Sequence, residues 1–356
     1  MALDNHSREK ISIEVIRTLV AKFADFPDGD ASNRNAPFHE AFLRAFATKF
    51  DGKVTDTPML ISLSSWLHGL NTTLGQSFFE KVARILCGGE KREYTSKKLG
   101  NVKISQEQKD NVTKIITKLS NKTALPDLAA EDSLLFQKDE SELVNAIDFS
   151  ADVFFQRAND VIAVELKTVQ PNSGGSMAEK QKILEGKVAL SRLFPGRQIY
   201  FYLGFPFDPT VNPKTDSITS CDKTRFSRSI VNLDKFFDQQ EILLADDLWN
   251  FLSGEMDTMQ QILDIINAIA TEKFMDKFRF LNDVNDNSKR RVKEYKEQLL
   301  EWNLFSESEL VEKDSHVQNK VVNDKKLQCT YNKMPFDNNG NYQWERYNTL
   351  LKLLNN

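Results

Sequence analysis

Cysteine, histidine and long apolar runs are all scarce, and each scarcity removes a class of protein. The three cysteines in 356 residues, Cys87, Cys221 and Cys329, lie more than a hundred residues apart. They form no C-x-x-C pair, so a disulfide framework and a zinc ribbon are both excluded. The four histidines, His6, His39, His68 and His316, share no metal-ligand spacing, and no glycine-rich phosphate loop is present. With 14 glycines and 10 prolines the chain is neither collagen-like nor a disordered linker. Its most apolar stretch, Ile199 to Phe207, is too short to span a bilayer, and the first ten residues lack the apolar core of a signal peptide. These features predict a soluble, cytosolic chain that is not exported by the usual route and has no membrane partner.

Charge of one sign is lacking too, but only in the total. The formal net charge of −4 would argue against a nucleic-acid partner, because phosphate binders neutralise backbone charge with Lys and Arg. The distribution argues the other way. Residues 81 to 122 hold eleven basic and four acidic side chains, a local +7 that leaves −11 elsewhere. Such a basic region, including Lys97 and Lys98, fits contact with a DNA backbone, although it also fits a solubilising surface.

Apolar spacing predicts helices over the first fifty residues, with Val15 to Phe23 in one and Phe38 to Phe46 in another. A further helix is expected from Asn71 to Leu86, capped by Thr72 or Thr73 and stopped at Gly88-Gly89. Another is expected around Val112 to Leu119. The period then changes. Val153 to Phe155 and Val161 to Val169 are short, β-branched and aromatic, and Ala158-Asn159-Asp160 between them is turn chemistry. A hairpin, a helix from Met177 to Phe194 and a strand from Gln198 to Phe205 give an α/β (α+β) order. Helices are expected at Asp246 to Leu252, Met256 to Phe274 and Ser288 to Trp302. The tail from Glu307 to Asn341 reads as polar and partly disordered. The boundaries suggest an N-terminal helical region over 1–70, a core over 71–255 and a C-terminal helical region over 256–356.

The hairpin carries the chemistry. Side chains alternate between the two faces of a strand, so Glu165 and Lys167 point the same way. If the turn falls on Asn159-Asp160, residue 154 pairs with 165 and 152 with 167, and Asp152 joins them. A three-residue loop would send Asp152 to the other face unless a bulge restored it. Asp148 has the same parity as Asp152 and is the rival aspartate. Two carboxylates converging on an apolar strand repel in a low dielectric, and a divalent cation relieves that cost. Mg²⁺ suits a site of one or two carboxylates plus waters and a phosphate oxygen, and Mn²⁺ can stand in for it. Asp152 and Glu165 would hold the ion, and Lys167 would orient or help deprotonate a water. The reaction implied is hydrolysis of a phosphodiester.

With Asp152 and Glu165-Leu166-Lys167 the sequence resembles the PD-(D/E)XK nuclease superfamily, Ala151 replacing the usual proline. Within it the chain is similar to type II restriction endonucleases of the TdeIII kind. The likeness lies in Asn71 to Glu80, Glu165 to Asn172, Glu179 to Leu184 and Tyr202 to Pro209. It implies a restriction-endonuclease-like core, a mixed central sheet flanked by helices, with helical additions at both ends. It also implies that the Leu166 carbonyl completes the metal site and that Glu80, on an upstream helix, adds a carboxylate. Arg84, four residues on, offers Glu80 a surface ion pair instead. Gln181 has the position of a helix residue that reaches the scissile phosphate. Lys180 and Lys187 on the same helix are further candidates.

Lys214, Lys223, Arg225 and Arg228 are candidates for base-edge contacts, since Arg and Lys bond guanine in the major groove. The function expected is that of a type II site-specific deoxyribonuclease, a hydrolase of a restriction-modification system that cuts double-stranded DNA at a short palindrome. A palindrome is most simply cut by a two-fold homodimer, and the Met256 to Phe274 stripe could serve that contact or the core. The resemblance further implies a GC-rich site such as GGNCC and a cognate DNA methyltransferase in the same system, not as a bound subunit. A repair or recombination nuclease that reads DNA structure, and a non-catalytic DNA-binding module of the same fold, are the alternatives.

Overall fold

Two runs rich in Val, Ile, Phe and Ala, too apolar to face water on either side, form the centre of a mixed sheet. The computed structural model describes residues 2–27, 41, 43, 57–137, 140–168, 175–212, 214–283 and 293–355. Among these, seven strands form: β1 (Glu90–Tyr94), β2 (Lys103–Ser105), β3 (Leu143–Asn145), β4 (Phe149–Arg157), β5 (Asp160–Leu166), β6 (Gln198–Phe205) and β7 (Ile242–Leu244). Five make one sheet in the order β1-β4-β5-β6-β7, and β2 pairs with β3 in a separate ribbon. β4 runs antiparallel to β1 and β5, whereas β5, β6 and β7 are parallel. The α/β fold class expected from the strand and helix order is therefore present, a mixed sheet between helices.

The chain packs as two units. One comprises Met1–Leu3 and Phe79–Gln261, the other Asp4–Phe78 and Ile262–Asn356. In the first unit, Gly175–Leu193 packs on β4 and β6 and is itself backed by Gln106–Ser120, while Glu80–Cys87 packs on β4 and against Asp246–Ser253. The two layers lie on opposite faces. Gly186 of the first layer meets the Phe201 ring, whereas Gly204, three residues along the same strand, meets Leu248 of the second.

The hairpin turns earlier than expected. Arg157 pairs with Asp160 and Phe154 with Ala163, because Ala158 takes the positive φ (50°) that closes a two-residue loop on Ala158-Asn159. The shift is by two residues, so the parity of the strand is kept. A second irregularity lies on the other side of β4. Glu90 pairs with Phe154 but Arg92 with Ala151, so two steps along β1 cover three along β4, and the extra residue falls at Asp152-Val153. This is a β-bulge, which re-aims side chains where it occurs.

Several helix boundaries differ from the sequence expectation. Thr57–Thr73 continues through a π-helical turn, Leu74–Phe79, into Glu80–Cys87. Thr72 and Thr73 are therefore not caps; each hydroxyl donates to the carbonyl four residues earlier, on His68 and Gly69. The stop at Gly88 is present in the left-handed conformation, with φ of 62°. The expected helix at Val112 to Leu119 begins earlier, at Gln106, because Ser105 and Gln108 form a capping box. The Met256 to Phe274 stripe is divided into Thr258–Ile269 and Phe274–Asn282. The expected helix at Phe38 to Phe46 lies outside the described residues except for positions 41 and 43.

The second unit also corrects the reading of the tail as partly disordered. Phe305–Glu312, Asp314–Val321 and Lys325–Tyr331 are helices, and Leu310, Val317, Val321, Tyr331 and Leu350 bury one another. Glu307 is buried there against Arg346, at 2.7 and 3.1 Å, and accepts a hydrogen bond from the Tyr342 hydroxyl. Polar composition concealed that cluster, since its apolar members are spread thinly over forty residues. No described helix is long and apolar enough to cross a membrane.

Candidate active site

The bulge and the end of the β4–β5 ladder coincide. Backbone pairing runs from Arg157↔Asp160 to Val153↔Val164, and one residue beyond, the Leu166 N–H donates to the Asp152 carboxylate (Oδ2, 3.0 Å). The aspartate side chain thereby occupies a position that the strand backbone leaves open. Asp152 and Glu165 are buried, 8% and 6% exposed, and Glu80 is 9% exposed. Carboxylates this dry need compensation.

Compensation comes in two groups. In the first, the Lys91 ammonium lies 3.0 Å from Asp152 Oδ1 and 3.1 Å from Glu80 Oε2. Arg84 touches Glu80 at 3.2 Å and donates to the Asp152 carbonyl at 2.9 Å. The ion pair expected between Glu80 and Arg84 thus exists, but inside the site. In the second group, Glu165 Oε1 contacts Lys167 at 3.0 Å and Lys182 at 2.8 Å, and Glu179 Oε1 contacts Lys167 at 2.8 Å. Ser150 adds its hydroxyl 3.5 Å from Glu165 Oε2. Four carboxylates therefore meet four cations, all within the first unit.

This balance fixes the protonation of the lysines. Burial alone would push the Lys167 ammonium down, but Glu165 and Glu179 outweigh it and its pKa lies above the ordinary value. Lys91 behaves alike, with burial opposed and overcome by Asp152 and Glu80. Both are charged at neutral pH.

The donor set suits a hard divalent ion. The candidate donors are all oxygens, and Lys91 already places one positive charge between Asp152 and Glu80. Glu179 Oε2 is buried with no hydrogen-bond partner among the described residues, the Lys182 ammonium standing 3.8 Å away. No three His, Cys, Asp or Glu side chains among the described residues are gathered as ligands; lysines stand between the acids.

The remaining candidates are scattered. Asp148 is exposed and accepts from the Asn101 amide at 2.6 Å. Lys180 corrects the expectation of a phosphate contact. It is fully buried, 2.5 Å from Glu131 and 2.6 Å from Glu241, so its ammonium faces the interior. Lys187 is likewise buried, against Asp132. Gln181 donates to Glu185 at 3.1 Å. Lys97 and Lys98 are exposed and line an open groove with β1, Leu193 and Phe194.

In the segment after β6, Lys214 is exposed and Lys223 pairs with Asp247 at 3.0 Å. Arg225 donates to the Thr210 hydroxyl at 2.8 Å, and Arg228 is exposed beside Phe237 and Leu125. Three residues of the site escaped sequence reasoning: Lys91, Glu179 and Lys182. The last two stand three apart in Glu179-Lys-Gln-Lys182, a spacing that puts both on one side of a helix. Lys91 gave no signal, because Glu-Lys-Arg-Glu-Tyr does not read as a strand.

Comparison with known proteins bears on this geometry. The family model described as "Type II restriction endonuclease, HinfI" matches residues 3–270. The Type II restriction enzyme MjaII of Methanocaldococcus jannaschii is 41% identical over an alignment of 373 positions, covering 100% of this chain and 99% of that enzyme. No solved structure matches the chain.

Proposed function

The chain belongs to the HinfI family of type II restriction endonucleases, and on that premise we propose that it cuts double-stranded DNA through Asp152, Glu165 and Lys167, with Mg²⁺ as the divalent ion. The observation that supports the assignment is the hydrogen bond from the Leu166 N–H to the Asp152 carboxylate, which brings Asp152 to the strand segment whose Glu165 and Lys167 side chains pair at 3.0 Å. Asp152, Glu165 and the Leu166 carbonyl would hold the ion, and Glu80 would support it from the neighbouring helix. When bound, the ion supplies charge neutralisation at the scissile phosphate and a lowered pKa for a water, and Mn²⁺ can supply the same.

The protein's own groups do the rest. Lys167, held between Glu165 and Glu179, would offset negative charge on the phosphate and orient the attacking water. Glu179 holds Lys167 at 2.8 Å, which keeps the ammonium from swinging into solvent. Ser150 and Lys182 fix the other side of Glu165.

The exposed Lys97 and Lys98 beside β1 fit the duplex backbone, while Lys214 and Arg228 are free of the core and fit a role nearer the bases. A palindromic site would be cut by a homodimer. A methyltransferase of the same system would protect the host site. Resemblance favours a GC-rich site such as GGNCC.

The test is digestion of phage DNA with Mg²⁺ by the wild type, Asp152→Ala and Lys167→Ala. Discrete fragments from the wild type, and a loss of at least about 100-fold in rate for either variant, are expected. Cutting that survives both substitutions sinks the site assignment, and cleavage confined to branched or damaged DNA sinks the restriction reading.

A further inference from the structure

Lys91 is the one cation of the site that comes from the edge of the sheet, and its surroundings differ from those of the other three. Its ammonium touches two carboxylates on different elements, Asp152 of β4 and Glu80 of the preceding helix. The side chain is 38% exposed, against 24% for Lys167, 21% for Arg84 and 18% for Lys182. Its stem borders water, so the ammonium can leave without dragging a charge through the interior. The groups around it have other attachments as well. Arg92, the next residue, lies over the Phe154 ring at 3.7 Å and fastens β1 to β4. Arg84 fastens the bulge through the Asp152 carbonyl and retains Glu80. With Lys91 withdrawn, the two carboxylates would remain in place, facing each other with a vacant positive position between them.

We propose that Lys91 is an internal counter-ion of Asp152 and Glu80 that competes with the divalent metal for Asp152 and is displaced when the metal binds. The proposal rests on the metal reading given above. In the metal-free protein a single ammonium holds Glu80 and Asp152 together, which stabilises the bulge without an ion. A divalent cation taken up by Asp152 together with Glu165 and the Leu166 carbonyl meets this like charge beside Asp152 and must expel it, so the intrinsic affinity of the site is lowered by the cost of that expulsion. The expelled side chain has a destination. Lys91 lines the same open groove as Lys97 and Lys98, where a phosphate can accept its ammonium.

The test is Mn²⁺ binding to the full chain without DNA, followed by the electron paramagnetic resonance signal of free Mn²⁺. Wild type, Lys91→Met, Lys91→Gln and Asp152→Asn are compared. Both Lys91 variants should bind Mn²⁺ more tightly than the wild type by about 5- to 150-fold, the usual span of coupling between two sites, and Asp152→Asn should bind more weakly. If the Lys91 variants bind no more tightly than the wild type while Asp152→Asn still loses affinity, the exchange is refuted and the metal site stands. If Asp152→Asn binds as the wild type does, the metal reading fails and takes this proposal with it. Should a Lys91 variant be unfolded without metal, refolding on addition of Mn²⁺ supports the exchange, and failure to refold overturns it.

Discussion

Lys180→Met isolates the difference between a lysine that meets DNA and one that holds the core. The ammonium is fully buried, 2.5 Å from Glu131 Oε2 and within 2.7 Å of both Glu241 oxygens, with the Phe237 ring 5.4 Å away. Methionine fills most of the same space but leaves two carboxylates without their shared cation. Removing one partner of a buried ionic cluster costs about 3 to 5 kcal/mol, a large part of the roughly 5 to 15 kcal/mol that holds a domain folded. At about 2 to 4 °C per kcal/mol for a domain of this size, the melting temperature should fall by about 6 to 20 °C.

Burial already holds the Glu131 carboxyl above its ordinary range despite the nearby Lys180. It therefore takes up a proton first as pH falls, and the deficit of the variant should narrow on the acid side of neutrality. A triple variant, Lys180→Met with Glu131→Gln and Glu241→Gln, should recover most of the loss. Guanidinium unfolding followed by circular dichroism measures all three proteins. In parallel, the salt dependence of DNA binding by the triple variant should match the wild type, because no phosphate contact has been removed. A loss below about 1 kcal/mol for Lys180→Met, with a salt slope reduced by about one unit, is what a phosphate contact would produce, and it would refute the reasoning.

Two further outcomes follow from particular contacts. Burial pushes the Cys87 thiol up to about 11 from its ordinary 9.0, so native protein at pH 8 should be labelled by Ellman's reagent at the exposed Cys329 and not at Cys87 until it unfolds. The unfolded chain releases this proton near pH 9 and the folded one near 11, so stability should decline between those values, and equal labelling of the two thiols in the native state would contradict the burial. Gly186→Ala would gain about 1 kcal/mol of helix propensity, but its Cβ would stand 2.7 Å from the Phe201 ring. Overpacking costs about 1 to 3 kcal/mol, so the variant should melt lower than the wild type, and a higher melting temperature would show that the ring yields freely.

The hairpin was legible because two nearly continuous apolar runs flank turn residues, and strand alternation alone puts Glu165 beside Lys167. Their register was less so. Ala158 gives no sign in the sequence that it will take positive φ, and that choice moved Asp152 one pair closer to Glu165 than the alternation implied. The bulge was out of reach, since it is defined by β1, a strand of Glu, Lys, Arg and Tyr stabilised by Arg92 on Phe154 and not by its own propensity.

Helix phase explains the remaining misreading. Lys180 and Lys182 are two residues apart, about 200° around the axis, so one enters the core and the other meets Glu165. The residues around them do not announce which is which. The basic tract from 81 to 122 reads differently as well. Arg84 and Lys91 neutralise the site's own carboxylates, and Lys97 and Lys98 are left to face outward.

The division of the chain sets an order of assembly. Every group of the site lies between Phe79 and Gln261, whereas the second unit needs both Asp4–Phe78 and Ile262–Asn356. During synthesis the nuclease unit has all of its residues once Gln261 has emerged. The 95 residues from Ile262 to Asn356 then take about 5 to 19 s more at 5 to 20 residues per second. Throughout that interval the first helix of the chain waits with Ile11, Ile16 and Val20, buried in the finished protein, lacking their C-terminal cover. The charges of the candidate site thus precede Ile262 in the order of synthesis, whereas Phe305–Glu312, which packs on Asn5–Ala24, follows it.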